Sequence, residues 1–453
     1  MVGCGICWRL LSYFTDVVKE GGYVGCIAVL GAFADWMTWI AMTKSLAVML
    51  PTLQEQFGAS TWLVGWMIAI IDGTVDLAGP FAPILGNTFG VRTVFMVSGT
   101  VTGAAFICSA FATSLSTMAI ILAVVGPTLG LVNILSRDLI GRYFDKHHTT
   151  ALGIAGLGTS LGFIIFAPLT QFLLDLYGWK ATMMLLGALF FNLTVCGALI
   201  KPEDKTTSGN GGYHSVDKDG DHSAIDDQED GSSRQSRSST CTTIRKLITA
   251  SLQLDLFTSV RYWLVTFVTV MTWLTFAAWV IYFVPYVTIS KGYSLSEAAN
   301  FVLIFGIGKI LGSLLVGQTV SVCGQIGLGA NVWMSFAIFT TSTYFFVDPW
   351  LTASWAISVG AFFFGCFHSF MFILGDVITK EAIGVDQLGC ALGWIGFKAG
   401  VVRFAFLFFP GLVFDTLGSY TLAFTIMGGI NLLSFFAFLA LMWLKRYRQD
   451  TVK

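Results

Sequence analysis

The chain has 453 residues, of which 55% are hydrophobic, 15% aromatic and only 11% charged, with a mean hydropathy of +0.76. Soluble domains carry about 25% charged residues, so a water-facing surface of this size is excluded. The net charge of −1, with no basic tract, removes the electrostatic case for nucleic acid as a partner, and nine scattered cysteines do not make a disulfide framework.

Apolar runs of about 18 residues or more are long enough to cross a ~30 Å hydrocarbon core. In chain order they predict spans at 24–50, 62–86, 93–111, 117–140, 150–174 and 181–200, and then at 262–289, 297–320, 327–347, 350–375, 388–414 and 420–444. The runs are continuous rather than alternating, which argues for helices and against strands. The expected fold class is an all-α membrane protein of twelve transmembrane helices in two six-helix bundles, at 24–200 and 262–444. Residues 1–23 form an N-terminal tail, in which 1–14 are too short to span, and 445–453 form a C-terminal tail. Between the bundles, 201–261 is Gly/Ser/Asp-rich in its middle and has few bulky apolar residues. Such a stretch cannot bury enough surface to offset its ordering entropy and is expected to be a disordered linker.

Basic residues set the orientation. Arg9, Lys19, Arg92, Arg142, Lys146, Lys380, Lys445, Arg446, Arg448 and Lys453 fall on one side with the linker, against only Lys180 and Lys291 in the short loops of the other. Both termini are therefore expected in the cytoplasm. An internal echo supports two equivalent halves: Asp175-Leu176-Tyr177-Gly178 leads into the sixth span and Asp415-Thr416-Leu417-Gly418 into the twelfth. Paired six-helix halves are a transporter signature, with the substrate path between them.

Three local patterns then carry a resemblance. Glu20-Gly21-Gly22-Tyr23 stands just before the first span, followed by Val24 and Gly25. Tyr143-Phe144-Asp145-Lys146-His147-His148, with Ala151, Gly153, Ala155 and Gly158, lies between spans four and five, and Lys44-Ser45 lies in the outer part of span one. In these patterns the chain resembles the monocarboxylate transporter family of the major facilitator superfamily. The resemblance implies a plasma-membrane carrier of small organic anions, with Lys44 as the substrate lysine and Tyr143, Phe144 and Lys146 in a signature segment. It would also allow a single-span ancillary protein as a partner. It departs from the family in span eight, where an acidic residue and an arginine four positions later are expected and Lys309 and Ser313 stand instead.

An ionisable group at a helix centre costs ~2.5–3.5 kcal/mol on insertion scales, so each is a functional candidate. The set is Asp35, Lys44, Asp72, Asp76, Lys309, Asp376, Lys398 and Arg403. Lys44 lies about 9 Å from the outer end of its span by helix rise. An ammonium in a low-dielectric cavity attracts a carboxylate far more strongly than one in water, and a proton arriving with the anion would let the pair cross neutral. Asp72 and Asp76 are one turn apart, and two nearby carboxylates resist simultaneous ionisation. With Lys44 they are the proton-coupling candidates. By the resemblance, Asp76 falls at a cavity-lining position; it either forms a buried pair with a lysine or holds a substrate amine or guanidino group. Lys309 and Arg403 are the other candidate substrate cations. Asp35, about 180° round its helix from Lys44, should face another span, and Lys398, about 140° round from Arg403, should not act with it as one clamp. Asp376 and Lys380, one turn apart, suggest an ion pair at headgroup level, with gating as a second role for Asp376. His368 is expected to be a hydrogen-bonded interior histidine.

The sequence has no HExxH, no nucleophile elbow and no phosphate-binding Gly-rich loop with its lysine, so no enzyme, no ATP-driven pump and no cofactor is expected. The leading function is a secondary transporter of small monocarboxylates working by alternating access. The alternatives are a facilitative carrier of zwitterions such as amino acids or creatine-like molecules, and a transport-dead sensor.

Overall fold

The computed structural model describes residues 2–58, 70–201, 253–325 and 328–451. Among the described residues every regular element is a helix. In the N-terminal half these are α1 (Val2–Phe57), α2 (70–77), α3 (Phe81–Phe89), α4 (Val91–Ser109), α5 (Leu115–Ala123), α6 (Val125–Tyr143), α7 (His148–Phe190) and α8 (Asn192–Leu199). The C-terminal half has α9 (Val260–Pro285), α10 (Leu295–Gly324), α11 (Ala330–Val347), α12 (Ser354–Ile383), α13 (Leu388–Phe406), α14 (Phe409–Leu417) and α15 (Thr421–Thr451).

Nine stretches among the described residues are long and apolar enough to cross a membrane. One of them, His148–Leu199, is 52 residues long, more than twice the ~20 that a crossing needs. It is broken at Gly178, whose φ of 72° is open to glycine and strained for other residues. The matching glycine of the second half, Gly418, has φ 69° and ends α14 before α15 begins. Both D-x-x-G repeats thus reach a positive-φ glycine at a helix break, with ψ 172° at Gly178 and 9° at Gly418. Part of the second expected span, 59–69, lies outside the described residues.

Large apolar side chains stand exposed on the outer faces, among them Ile120, Phe172, Trp355 and Trp443, a surface that suits lipid rather than water. Both chain ends lie at one end of the bundle, here termed the linker end. Tyr23 Oη donates to the Leu199 carbonyl there, and Lys445 pairs with Glu381 at 2.8 Å.

Two differences from the sequence reading concern boundaries. The chain before the first span is helical from Val2 up to a break at Gly22 (φ 55°). Residues 254–258, expected in the linker, form a 3-10 turn with Leu256 buried, and α9 starts at Val260. The stretch 202–252, which holds the rest of the expected linker, lies outside the described residues.

The halves touch through glycine. A Cβ on Gly393 of α13 would come within 2.5 Å of the Gly79 carbonyl between α2 and α3, and one on Gly153 of α7 within 2.5 Å of the Ser313 carbonyl on α10. Small residues at these points let the backbones approach closely.

Candidate functional site

Two lysines from opposite halves converge on one aromatic ring. Lys44 Nζ on α1 lies 4.6 Å from the centroid of Phe163 on α7, and Lys309 Nζ on α10 lies 5.4 Å from the same centroid. Lys309 also sits 5.2 Å from the Phe276 ring on α9. His368 of α12 also stacks on Phe276, with centroids 3.7 Å apart and planes at 24°. Ring faces carry negative quadrupolar charge, so they offer partial compensation to cations that have left water. Neither lysine has a carboxylate within 4 Å among the described residues. Lys309 and His368 are 4% and 3% exposed, and His368 Nδ1 has no hydrogen-bond partner. Lys44 thus points at an interior ring. Ser45 beside it shares a 2.7 Å hydroxyl hydrogen bond with Thr170, which ties α1 to α7. Ser313, which replaces the family's arginine, donates to Ser369 Oγ, and Ser369 donates to the Lys309 carbonyl at 2.9 Å. It links α10 to α12, and Lys309 is the charged side chain of α10 at this level.

A second cluster holds both carboxylates of α2. Arg403 on α13 donates from Nη2 to Asp76, and its Nη1 lies 3.7 Å from Asp72 Oδ2. Trp39 Nε1 donates to Asp72 Oδ1 at 2.6 Å. Of the two expectations for Asp76, a buried pair with a lysine or a substrate contact, the structure shows a buried pair whose cation is an arginine; the guanidinium fork reaches two carboxylates one turn apart, as a single ammonium would not. Lys398 stands apart from this cluster, as its helical angle predicts. It donates to Tyr262 Oη at 2.8 Å and lies 4.5, 4.2 and 4.2 Å from the rings of Phe257, Tyr262 and Trp263.

A third cluster was missed in the sequence. Arg137 and Asp138 lie inside the fourth predicted span but were not among the charges singled out there. Arg137 Nη1 donates to Asp376 at 3.1 Å across the two halves, and Nη2 donates to Asn133 Oδ1 at 2.7 Å. Asn133 in turn donates to Asp35 Oδ2 at 3.2 Å, so Asp35 does face another span, as expected. Asp138 accepts from Arg142 at 2.9 Å. The expected Asp376–Lys380 pair does not form. Asp376 faces Arg137, while Lys380 reaches the Phe144 carbonyl at 2.7 Å and Asp145 Oδ1 at 2.8 Å. One turn of separation put both on one face of α12, but partners from the other half were closer. An arginine beside an asparagine in an apolar run was the signal available.

The two signature segments meet at the linker end. Glu20 accepts hydrogen bonds from the backbone N–H of Asp145 (2.8 Å), Lys146 (2.7 Å) and His147 (3.1 Å), and from His147 Nδ1. A carboxylate there caps the start of α7. Partial burial alone would raise its pKa, but these four bonds outweigh that and hold Glu20, which lies before the Gly22 break and outside the spanning part of α1, below its ordinary 4.5. The Phe144 ring is buried against Gly21 and Gly25, where a Cβ at either position would run into it. Tyr143 is 37% exposed, and Lys146 contributes its backbone N–H.

Comparison with known proteins adds the family. The Major Facilitator Superfamily profile matches residues 25–351. Human Monocarboxylate transporter 12 is 27% identical over 420 residues, covering 90% of this chain and 78% of that protein. Mouse Monocarboxylate transporter 11 is 34% identical over 184 residues, 40% of this chain and 41% of that one. Among solved structures, the human organic anion transporter MFSD10 (TETRAN) superposes with a TM-score of 0.64 at 15% identity, covering 92% of this chain and 99% of the other. That likeness shows a shared fold.

Proposed function

The chain belongs to the major facilitator superfamily and is a secondary transporter rather than an enzyme, and from that premise we propose that it carries small organic anions by alternating access, with the Lys44 ammonium meeting the substrate carboxylate. The observation that carries this reading is the pair of ammonium groups, Lys44 and Lys309, over one interior ring with no acidic partner among the described residues. Each half supplies one cation, so an anion bound there would draw the halves together and leave with their parting. Monocarboxylates, for which the relatives are named, are the first substrates to try. We assign proton coupling to Lys44 rather than to Asp72 or Asp76, because both carboxylates already face Arg403.

A zwitterion carrier is the weaker reading, since the Asp76 carboxylate that would hold an amine is engaged by Arg403. Asp76 and Arg403 then serve as a link between α2 and α13, and Tyr143, Phe144, Lys146 and Asp376 belong to the contact that closes the linker end. In this proposal the linker end faces the cytoplasm, the protein resides in the plasma membrane, and a single-span ancillary protein would assist its delivery.

The test is uptake of a labelled short monocarboxylate by cells expressing the protein, at two external pH values. Uptake should exceed that of control cells and rise at the lower pH, and Lys44→Gln should abolish it. Uptake indifferent to Lys44→Gln would remove Lys44 from the site, and binding without uptake would favour a sensor.

A further inference from the structure

Charge balance within the bundle constrains the substrate more narrowly. Each intramembrane carboxylate singled out above is already engaged. Asp72 and Asp76 face Arg403, Asp376 faces Arg137, and Asp35 is held by Asn133 beside that same arginine. Among the described residues no carboxylate lies within 4 Å of Lys44 or Lys309, which share the Phe163 ring. Beside them, the His368 ring stacks on the second ring that Lys309 faces, and its buried Nδ1 lacks a partner. A single carboxylate seated on Lys44 would leave the second ammonium uncompensated in a low-dielectric interior, where unpaired charge is costly.

From this geometry we infer that the preferred substrate carries two anionic groups, a short dicarboxylate whose ends are taken by Lys44 from one half and Lys309 from the other. The inference rests on the proposed function and deepens it. The substrate then supplies a counter-charge to each half at once, so the two lysines, which repel one another when both carry a proton, are neutralised together in the filled site. Phe163 and Phe276 flank the carbon chain and keep water from the cations. Lys309 is the residue that sets specificity between one carboxylate and two, and it stands in the span where the chain departs from the family pattern it resembles. Because an ammonium is a point charge without a fixed fork, each lysine can follow its carboxylate as the halves move.

The discriminating experiment uses the full chain purified into liposomes, with labelled succinate and labelled butyrate. These acids share a four-carbon chain and differ by one carboxylate. Succinate should half-inhibit counterflow at about a tenfold lower concentration than butyrate, the scale of one additional charge-assisted contact. Lys309→Gln should bring the succinate-to-butyrate ratio down to about one, and Lys309→Arg, which keeps the charge, should preserve most of the preference. Reading the ratio makes the result independent of how much protein folds. If butyrate enters while succinate neither enters nor competes, or if the ratio is the same in wild type and Lys309→Gln, the dicarboxylate inference is overturned and the proposed function stands. If neither acid enters or binds, both fall. Inorganic phosphate serves as a further competitor; inhibition by phosphate equal to that by succinate would overturn the dicarboxylate assignment in favour of a compact dianion.

Discussion

Arg137 on α6 and Asp376 on α12 meet across the division between the halves, Nη1 to Oδ1 at 3.1 Å, with side chains only 3% and 6% exposed. A pair buried this deeply is costly to break from one side, because the remaining charge has no partner; the usual penalty is roughly 3–5 kcal/mol. Asp376→Asn should therefore lower the melting temperature of the detergent-purified protein by several degrees. The double variant Arg137→Gln/Asp376→Asn should melt higher than Asp376→Asn alone, since it removes both charges. Equal melting temperatures for wild type and Asp376→Asn would show that the pair contributes nothing in solution.

Glu20 offers a pH-dependent test at the linker end. Its carboxylate is held below the ordinary value of 4.5 by hydrogen bonds from three backbone N–H groups and His147, which outweigh the effect of burial. A depressed native pKa means that the unfolded chain binds more protons, so the stabilisation is fully present above 4.5 and is lost as pH falls through the native value. Glu20→Gln should cost about 1 kcal/mol at pH 7, the scale of a lost helix cap. The difference from wild type should close as melting is measured at progressively more acidic pH below 4.5. A gap that stays constant with pH would mean the carboxylate charge is not what holds the turn.

The all-helical membrane class was legible because continuous apolar runs leave little choice of structure. Angular arguments along single helices also held: Asp35 turns away from Lys44 toward Asn133, and Lys398 parts from Arg403. What a linear reading lacked was the partner. Asp376 lies one turn from Lys380 but pairs with Arg137, 239 residues away; helical spacing ranks neighbours on one face, and burial then selects among groups that only the packed bundle brings near. The convergence of Lys44 and Lys309 on Phe163 was invisible for a similar reason, since a phenylalanine among forty in apolar runs carries no distinguishing signal. The two signature segments were found separately, and their contact through Glu20 and Phe144 joins stretches with no intervening pattern.

Asp76 separates a structural role from a substrate contact. Arg403 is 9% exposed and holds both Asp72 and Asp76. Asp76→Asn should lower stability by roughly 2 kcal/mol, the scale of one hydrogen bond to a charged group, because Asp72 still faces Arg403. Uptake per folded molecule should then fall to a similar extent for a carboxylic acid and for a matched amino acid, if the wild type carries both. Selective loss of the amino acid, with acid uptake intact, would instead place Asp76 at a substrate amine and revive the zwitterion reading.

Gly393 tests whether the glycine contact between halves governs the transport cycle. Its missing side chain is filled by the Gly79 carbonyl, and a Cβ there would stand 2.5 Å from that oxygen and 3.2 Å from the Pro80 nitrogen. Both obstacles are backbone, so a methyl group can be housed only by moving α13 away from the α2–α3 turn; overpacking of this kind costs about 1–3 kcal/mol. That cost falls on the conformation with the linker end closed and is relieved when the halves part there, so Gly393→Ala should bias the protein toward opening. Cys390, one turn earlier on α13 and buried in the closed arrangement, reports the change. In a background that keeps Cys390 as the sole cysteine, Gly393→Ala should raise its rate of modification by a polar maleimide about fivefold, the population change that corresponds to ~1 kcal/mol. Gly429→Ala is the control, because nothing lies within 4 Å of a Cβ at that position. Equal labelling rates in the two alanine variants would mean that the close approach of Gly79 and Gly393 persists through the cycle as a fixed pivot and does not open and close with it.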